Sequence, residues 1–177
     1  MQDRDPHQQA DGRGPVRVDV ERYLGAELAA VVAGARRRAL RDGDRQIDTA
    51  HLLHSLLESD PEVGDAFESG PQVARLLGYL VQRSIGYGLR WQTSVENSGA
   101  VPAVSGEAWS PVAARAVVAA YERATGRGER LAGGVDLLAA LVTEPGSRAA
   151  EVLGRAGIDV RELLVRLDGT AERGIGA

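Results

Sequence analysis

The chain has 177 residues, enough for one domain of ordinary size or for two small repeats that share a core. Hydrophobic residues make up 44% but aromatic ones only 4%, so the core must be built from Ala, Val and Leu, which favours close-packed helices over a β-sandwich. A net charge of -4 gives no electrostatic reason to expect nucleic acid or an anionic membrane surface, and the lack of cysteine excludes disulfides, thiolate nucleophiles and Cys-based metal sites.

Residues 1–17 are polar and turn-rich and read as a flexible tail; they lack the apolar centre of a secretory signal, and His7 has no partner nearby in sequence. From Asp19 the pattern turns helical. Val20, Tyr23 and Leu24 lead into Leu28, Val31, Val32, Ala35 and Ala39 on one face. Arg36, Arg37, Arg38 and Arg41 take the solvent side, where positive charge suits a helix carboxyl end, and Gly43 supplies the C-cap. The second helix is the leucine-rich run IDTAHLLHSLL, Ile47 to Leu57, with Leu52, Leu53, Leu56 and Leu57 on one stripe and Asp48 or Thr49 as its cap. Ser59, Asp60 and Pro61 end it and open a short third helix to about Glu68. After Gly70 and Pro71, VARLLGYLVQRSI forms a fourth, with Val73, Leu76, Leu77, Leu80 and Val81 turned inward.

Residues 86–108, rich in Gly, Ser, Pro and Asn, have no steady period and read as a linker; Tyr87, Leu89 and Trp91, with Trp109, make it apolar enough to lie partly against the helices. Ser110 and Pro111 pair an N-cap with an N1 proline and start a fifth helix, whose stripe is Val112, Ala116, Val117, Ala120 and Ala124, ending near Gly126. Gly133 and Gly134 precede a second leucine helix within LAGGVDLLAAL, which Pro145 and Gly146 break. Ala149 to Ala156 forms a seventh helix, and Asp159 caps an eighth that carries Val160, Leu163, Leu164 and Leu167.

Setting Gly43 against Gly128 aligns Ala35 with Ala120, Ala39 with Ala124 and Leu52 with Leu137, a constant offset of 85 residues. The two leucine helices are thus one motif used twice. The expected fold is all-α: two pseudo-symmetric four-helix repeats packed into one eight-helix domain spanning 18–169. Repeat one takes 18–85 and repeat two 109–169, with a tail at 170–177.

The chemistry-bearing residues point away from catalysis. All 21 basic residues are arginine, which excludes a lysine Schiff base and the P-loop lysine. No GxSxG elbow supports a hydrolase, and the acidic balance opposes the alternative of a helix-turn-helix DNA reader. The clustered arginines of the first helix read as a solvated face rather than a phosphate site. His51 and His54 stand at a metal-compatible i, i+3 spacing but without a third ligand, so no metal or cofactor is expected. No apolar run approaches a membrane span, and a soluble cytoplasmic protein is the default expectation.

The order of SPVAARAVVAAYERATGRGERLAGGVDLLAALVTEPGSRAAEVLGRAGID in the second half and ALRDGDRQIDTAHLLHSLL in the first resembles the amino-terminal domain of Clp unfoldases of the ClpA and ClpC type, over about Val18 to Gly169. That resemblance implies a binding module that receives substrate peptides, adaptor proteins and, in actinobacterial members, cyclic-peptide antibiotics. It also implies that the module is no enzyme and that its partners are the Clp ATPase and protease components. The family's repeats open with an aromatic residue and Thr, matched here by Trp109 and Ser110 but by Leu24 and Gly25 in the first repeat. Its Thr-Glu-His motif is matched by Thr49 and His51, with Ala50 and Val135 at the glutamate positions; a basic residue four places after the first Thr is replaced by Ala29 and Ala114. Because those glutamates and threonines hold phosphoarginine in family members that read it, the substitutions imply that such binding is weak or absent. They leave an apolar surface around Leu24, Val32, Trp109 and Val117, expected to bind an apolar peptide or cyclic peptide. Trp109 admits two readings, a ligand anchor or a core residue that staples the linker to the fifth helix.

Overall fold

Two short apolar helices, both leucine-rich, form the centre of the molecule, and the other elements are laid against them. The computed structural model describes residues 19–84 and 109–174. The expected tail at 1–17 with His7, the linker at 86–108 with Tyr87, Leu89 and Trp91, and residues 175–177 lie outside the described residues. Eight α-helices occur among the described residues, in the expected order: α1 (Ala29–Asp42), α2 (Thr49–Ser59), α3 (Pro61–Asp65), α4 (Gly70–Ser84), α5 (Pro111–Gly126), α6 (Gly134–Thr143), α7 (Arg148–Arg155) and α8 (Val160–Gly174). α8 therefore continues past Gly169, where the sequence pattern placed a frayed end.

Every residue of α2 from Thr49 to Leu56 is buried, as is every residue of α6 from Gly134 to Val142. A helix apolar or small all round is a central one. α1 packs chiefly on α2 and α5 on α6, while α2 and α6 also touch each other and join the repeats.

The duplication appears in the backbone itself. Gly25 N–H donates to the Ala132 carbonyl at 2.8 Å, and Ser110 N–H donates to the Ile47 carbonyl at 2.9 Å. Each partner lies 85 residues from its counterpart, so the extended entry strand of each repeat pairs with the turn before the leucine helix of the other. Gly43 and Gly128 both end their helices with left-handed backbones, φ 74° and 87°, the conformation a side chain disfavours.

One expectation needs correction. Residues 20–28 are not helix but two 3-10 turns, Val20–Tyr23 and Ala26–Leu28, separated by extended Leu24 and Gly25. The cause is the missing cap. Ser110 Oγ accepts the Ala113 N–H at 3.0 Å and starts α5 at once, whereas the equivalent Gly25 has no side chain to do so. α4 also differs in detail. Leu76 and Leu80 are buried, but Val81 is 44% exposed and Leu77 half-exposed, because successive helical residues are rotated by about 100° and α4 buries a narrow stripe.

The duplication gives an internal control for packing. A Cβ on Gly34 of α1 would come 2.2 Å from Ser55 Oγ of α2, both residues being buried. At the same two positions in repeat two stand Ala119 and Ala140. Gly34→Ala alone should therefore destabilise by about 1 kcal/mol despite its helix propensity, since the overpacked hydroxyl must move. Gly34→Ala with Ser55→Ala should restore or exceed wild-type stability, and urea unfolding of the four proteins would check this.

Two polar ties hold the ends of the leucine helices. Asp48 Oδ1 accepts the His51 N–H at 2.8 Å and caps α2, and its Oδ2 receives the Arg148 guanidinium of α7 at 2.7 Å; the two side chains are 1% and 2% exposed. Beside them Thr49 Oγ1 accepts the Ala149 N–H at 3.1 Å and lies 3.2 Å from Ser147 Oγ. The amino ends of α2 and α7 thus meet in a dry polar joint between the repeats.

The second tie exists in both repeats with its carboxylate on the opposite side. In repeat one, buried His51 places Nε2 3.2 Å from Asp44 and 3.5 Å from Asp42. In repeat two, Asp136 takes the place of His51 and Arg127 that of Asp42, joined by bonds of 2.7 and 2.8 Å. Both side chains also reach back to the cap residue. His51 Nδ1 accepts the Asp48 N–H at 3.1 Å, and Asp136 Oδ2 accepts the Gly133 N–H at 3.3 Å.

Candidate functional site

The residues that open repeat one lie along α5 of repeat two. Tyr23 packs on Tyr121 with ring centroids 4.8 Å apart, and the Arg22 guanidinium sits 4.9 Å above the Tyr23 ring. These contacts place Val20 beside the first turns of α5 and leave a groove of about 420 Å³ between them. Ala114, Val118 and Ala119 line it from α5, and Val20 lines it from the opposite side. Arg115 and Glu144 stand at one edge, paired at 2.5 Å, and Glu122 at the other. The described lining residues are apolar side chains with a charged rim, so the chemistry they offer is that of apolar contact.

The structure divides the expected site residues. Ala114 lines the groove and is half-buried. Trp109 is half-buried and packed on the core, its backbone paired with Ile47. Ala29, at the start of α1, is exposed but does not border the groove. Leu24 is 8% exposed, Val32 4% and Val117 fully buried, so these three belong to the core and do not border the groove. Ser110 is buried as the cap of α5, and Gly25 is buried with its N–H bonded to Ala132.

Val20, Arg115, Val118, Ala119, Glu122 and Glu144 were missed by the sequence reading. The run VVAA in α5 is apolar all round, so its phase is ambiguous: Val117 faces the core and Val118, one step of rotation on, faces the groove. The available signal was that Ala114, Val118 and Glu122 recur every four residues off the core stripe.

The positions at which the family resemblance implies phosphoarginine contacts are buried. Ala50 and Val135 are 1% and 6% exposed, and the Thr49 hydroxyl is engaged in the joint with α7. The two histidines do not converge. Among the described residues Asp42, Asp44 and His51 are close enough to hold a metal ion. His51 is already held on both sides, its Nδ1 3.1 Å from the Asp48 N–H and 3.0 Å from Asp48 Oδ1 and its Nε2 turned towards Asp44 and Asp42.

His54 faces Glu58, its Nε2 3.1 Å from the carboxylate. Burial, then the charges of Arg38 and Arg41, hold the His54 pKa below the ordinary 6.5 against the pull of Glu58. Burial raises Glu58, but the hydrogen bond and charge of Arg38, with His54, outweigh it and leave Glu58 below 4.5. Both groups are depressed, so their contribution is complete above about pH 6.5 and is lost as pH falls, through His54 first and Glu58 later. The urea midpoint should drop between neutral pH and about pH 5, and His54→Gln should flatten that dependence. An unchanged slope in the variant would assign the effect elsewhere.

No protein-family model matches the sequence and no curated protein matches it. Solved structures do match in fold. The amino-terminal domain of the caseinolytic protease associated chaperone ClpD from Arabidopsis thaliana is 19% identical, with 89% of this chain covering 99% of that one at a TM-score of 0.63. A chain from a study of a malarial protein secretion system is 15% identical, with 85% of this chain covering 96% of that one, also at 0.63. The fold of this chain is that of a Clp ATPase amino-terminal domain.

Proposed function

We propose that the protein is a non-catalytic, cytoplasmic binding module of the Clp protease system that seats an apolar peptide segment in the groove along α5. The segment belongs to a substrate, an adaptor or a cyclic-peptide antibiotic directed at Clp, and the module acts as an adaptor or as a sequestering decoy beside the Clp ATPase and protease components. The observation that carries this reading is the groove itself: an open apolar trough of about 420 Å³, built on the rigid surface of α5 in a fold shared with a Clp chaperone domain. The burial of Ala50 and Val135, neither of which carries a carboxylate, supports selection for apolar rather than phosphoarginine-bearing segments.

Titration with labelled apolar peptides and with a cyclic-peptide Clp inhibitor, beside a pull-down from native cytoplasm, tests the proposal. Saturable binding of the cyclic peptide supports the decoy, and co-purified Clp ATPase subunits support the adaptor. Val118→Arg places a cation in the apolar trough and should weaken peptide binding by about tenfold or more, with the fold retained because the position is only half-buried. Binding unaffected by that change would remove the groove from the function.

A further inference from the structure

We infer that the groove prefers a segment in which an apolar anchor is flanked by an arginine or lysine, and that Glu122 sets this preference. The inference rests on the groove being the peptide site. Its floor offers no polar contact: Ala114, Val118 and Ala119 of α5 and Val20 opposite are apolar, and they suit one or two aliphatic or aromatic side chains. Selectivity must therefore come from the rim. There, Arg115 and Glu144 neutralise each other through their 2.5 Å pair. Glu122 stands one helical turn beyond Val118, exposed, and its carboxylate makes no hydrogen bond or ion pair with the described residues.

The neighbouring cations are committed elsewhere. Arg123 pairs with Asp168 at 2.6 Å and Arg127 is held by Asp136 and Glu129, while Arg22 donates to the neutral Tyr23 hydroxyl at 2.8 Å and keeps its charge. Among the described lining residues Glu122 is thus the acidic side chain that no cation pairs, and it stands beside an apolar floor. A bound segment with a cation next to its anchor meets that charge, a neutral one gains nothing from it, and an acidic one is repelled. Because Glu122 is exposed, the preference is modest and sensitive to salt.

The test is fluorescence anisotropy with short fluorescein-labelled peptides that share a central Leu-Leu-Phe and differ only in a flanking Arg, citrulline or Glu. Wild type, Glu122→Gln and Val118→Arg are compared at low and high salt. The Arg peptide should bind wild type about two- to fivefold more tightly than the citrulline peptide at low salt, with the Glu peptide weakest. That order should collapse in Glu122→Gln and at high salt. If the Arg and citrulline peptides bind equally to wild type at low salt while Val118→Arg abolishes both, the charge preference is refuted and the groove stands. If no peptide binds, or Val118→Arg binds as well as wild type, the groove reading fails and the preference with it.

Discussion

Replacing Arg148 with alanine should cost about 3–5 kcal/mol of folding free energy. The guanidinium is 2% exposed and lies 2.7 Å from Asp48, itself 1% exposed. Removing the cation leaves a carboxylate in a joint that excludes water, and Asp48 cannot simply turn out to solvent, because its other oxygen caps α2. The intact pair is a poor measure of net stability, since desolvating both charges offsets most of their attraction; breaking it is what is expensive. Arg148→Met with Asp48→Asn should therefore recover most of the loss: the amide oxygen still caps α2 and no net charge remains buried. Equilibrium unfolding in urea of the single and double variants measures this. A loss under about 1 kcal/mol for Arg148→Ala would mean that water reaches Asp48 and that the joint is open in solution.

Asp136→His should cost about 3 kcal/mol, and adding Arg127→Asp should return more than half of it. The single change sets an imidazole against Arg127, whose guanidinium had a two-bonded partner, and brings it close to Arg123, 3.8 Å from Asp136 in the native arrangement. It also exchanges the carboxylate that closes the cap on Gly133 for a ring nitrogen. The double change copies repeat one, where His51 and Asp42 occupy the equivalent positions and His51 closes the cap on Asp48. A double-mutant cycle should give a coupling of about 0.5–3 kcal/mol, as contacting charged residues do. Zero coupling would show that the two ties are alike in position only.

The same comparison of repeats explains which parts of the fold were legible. Leucines one turn apart, a capping Ser110–Pro111 pair and glycines at Gly43 and Gly128 are local signals, and each marks what the structure contains: two buried leucine helices, a capped α5 and two left-handed turns. The first helix was misplaced because an apolar stripe from Val20 to Leu28 looks helical even where Gly25 cannot supply a cap, and backbone pairing with Ala132 holds Leu24 and Gly25 extended. The site was read less well. Leu24, Val32 and Val117 are apolar at repeat-equivalent places, which identifies them as candidates for burial or for binding without distinguishing the two.

The amino-acid sequence by itself determined the helical class, the element order and the twofold internal likeness, because propensity, capping and periodicity act over a few residues and are written into each segment. Only the tertiary structure decided which face of α5 stays open. It depends on Val20 and Glu144, distant in sequence and brought to α5 by packing, and on the arginines that other carboxylates claim before Glu122 can. Charge balance at the rim, like the joint between Asp48 and Arg148, is set by which distant side chains arrive, and no local pattern encodes that.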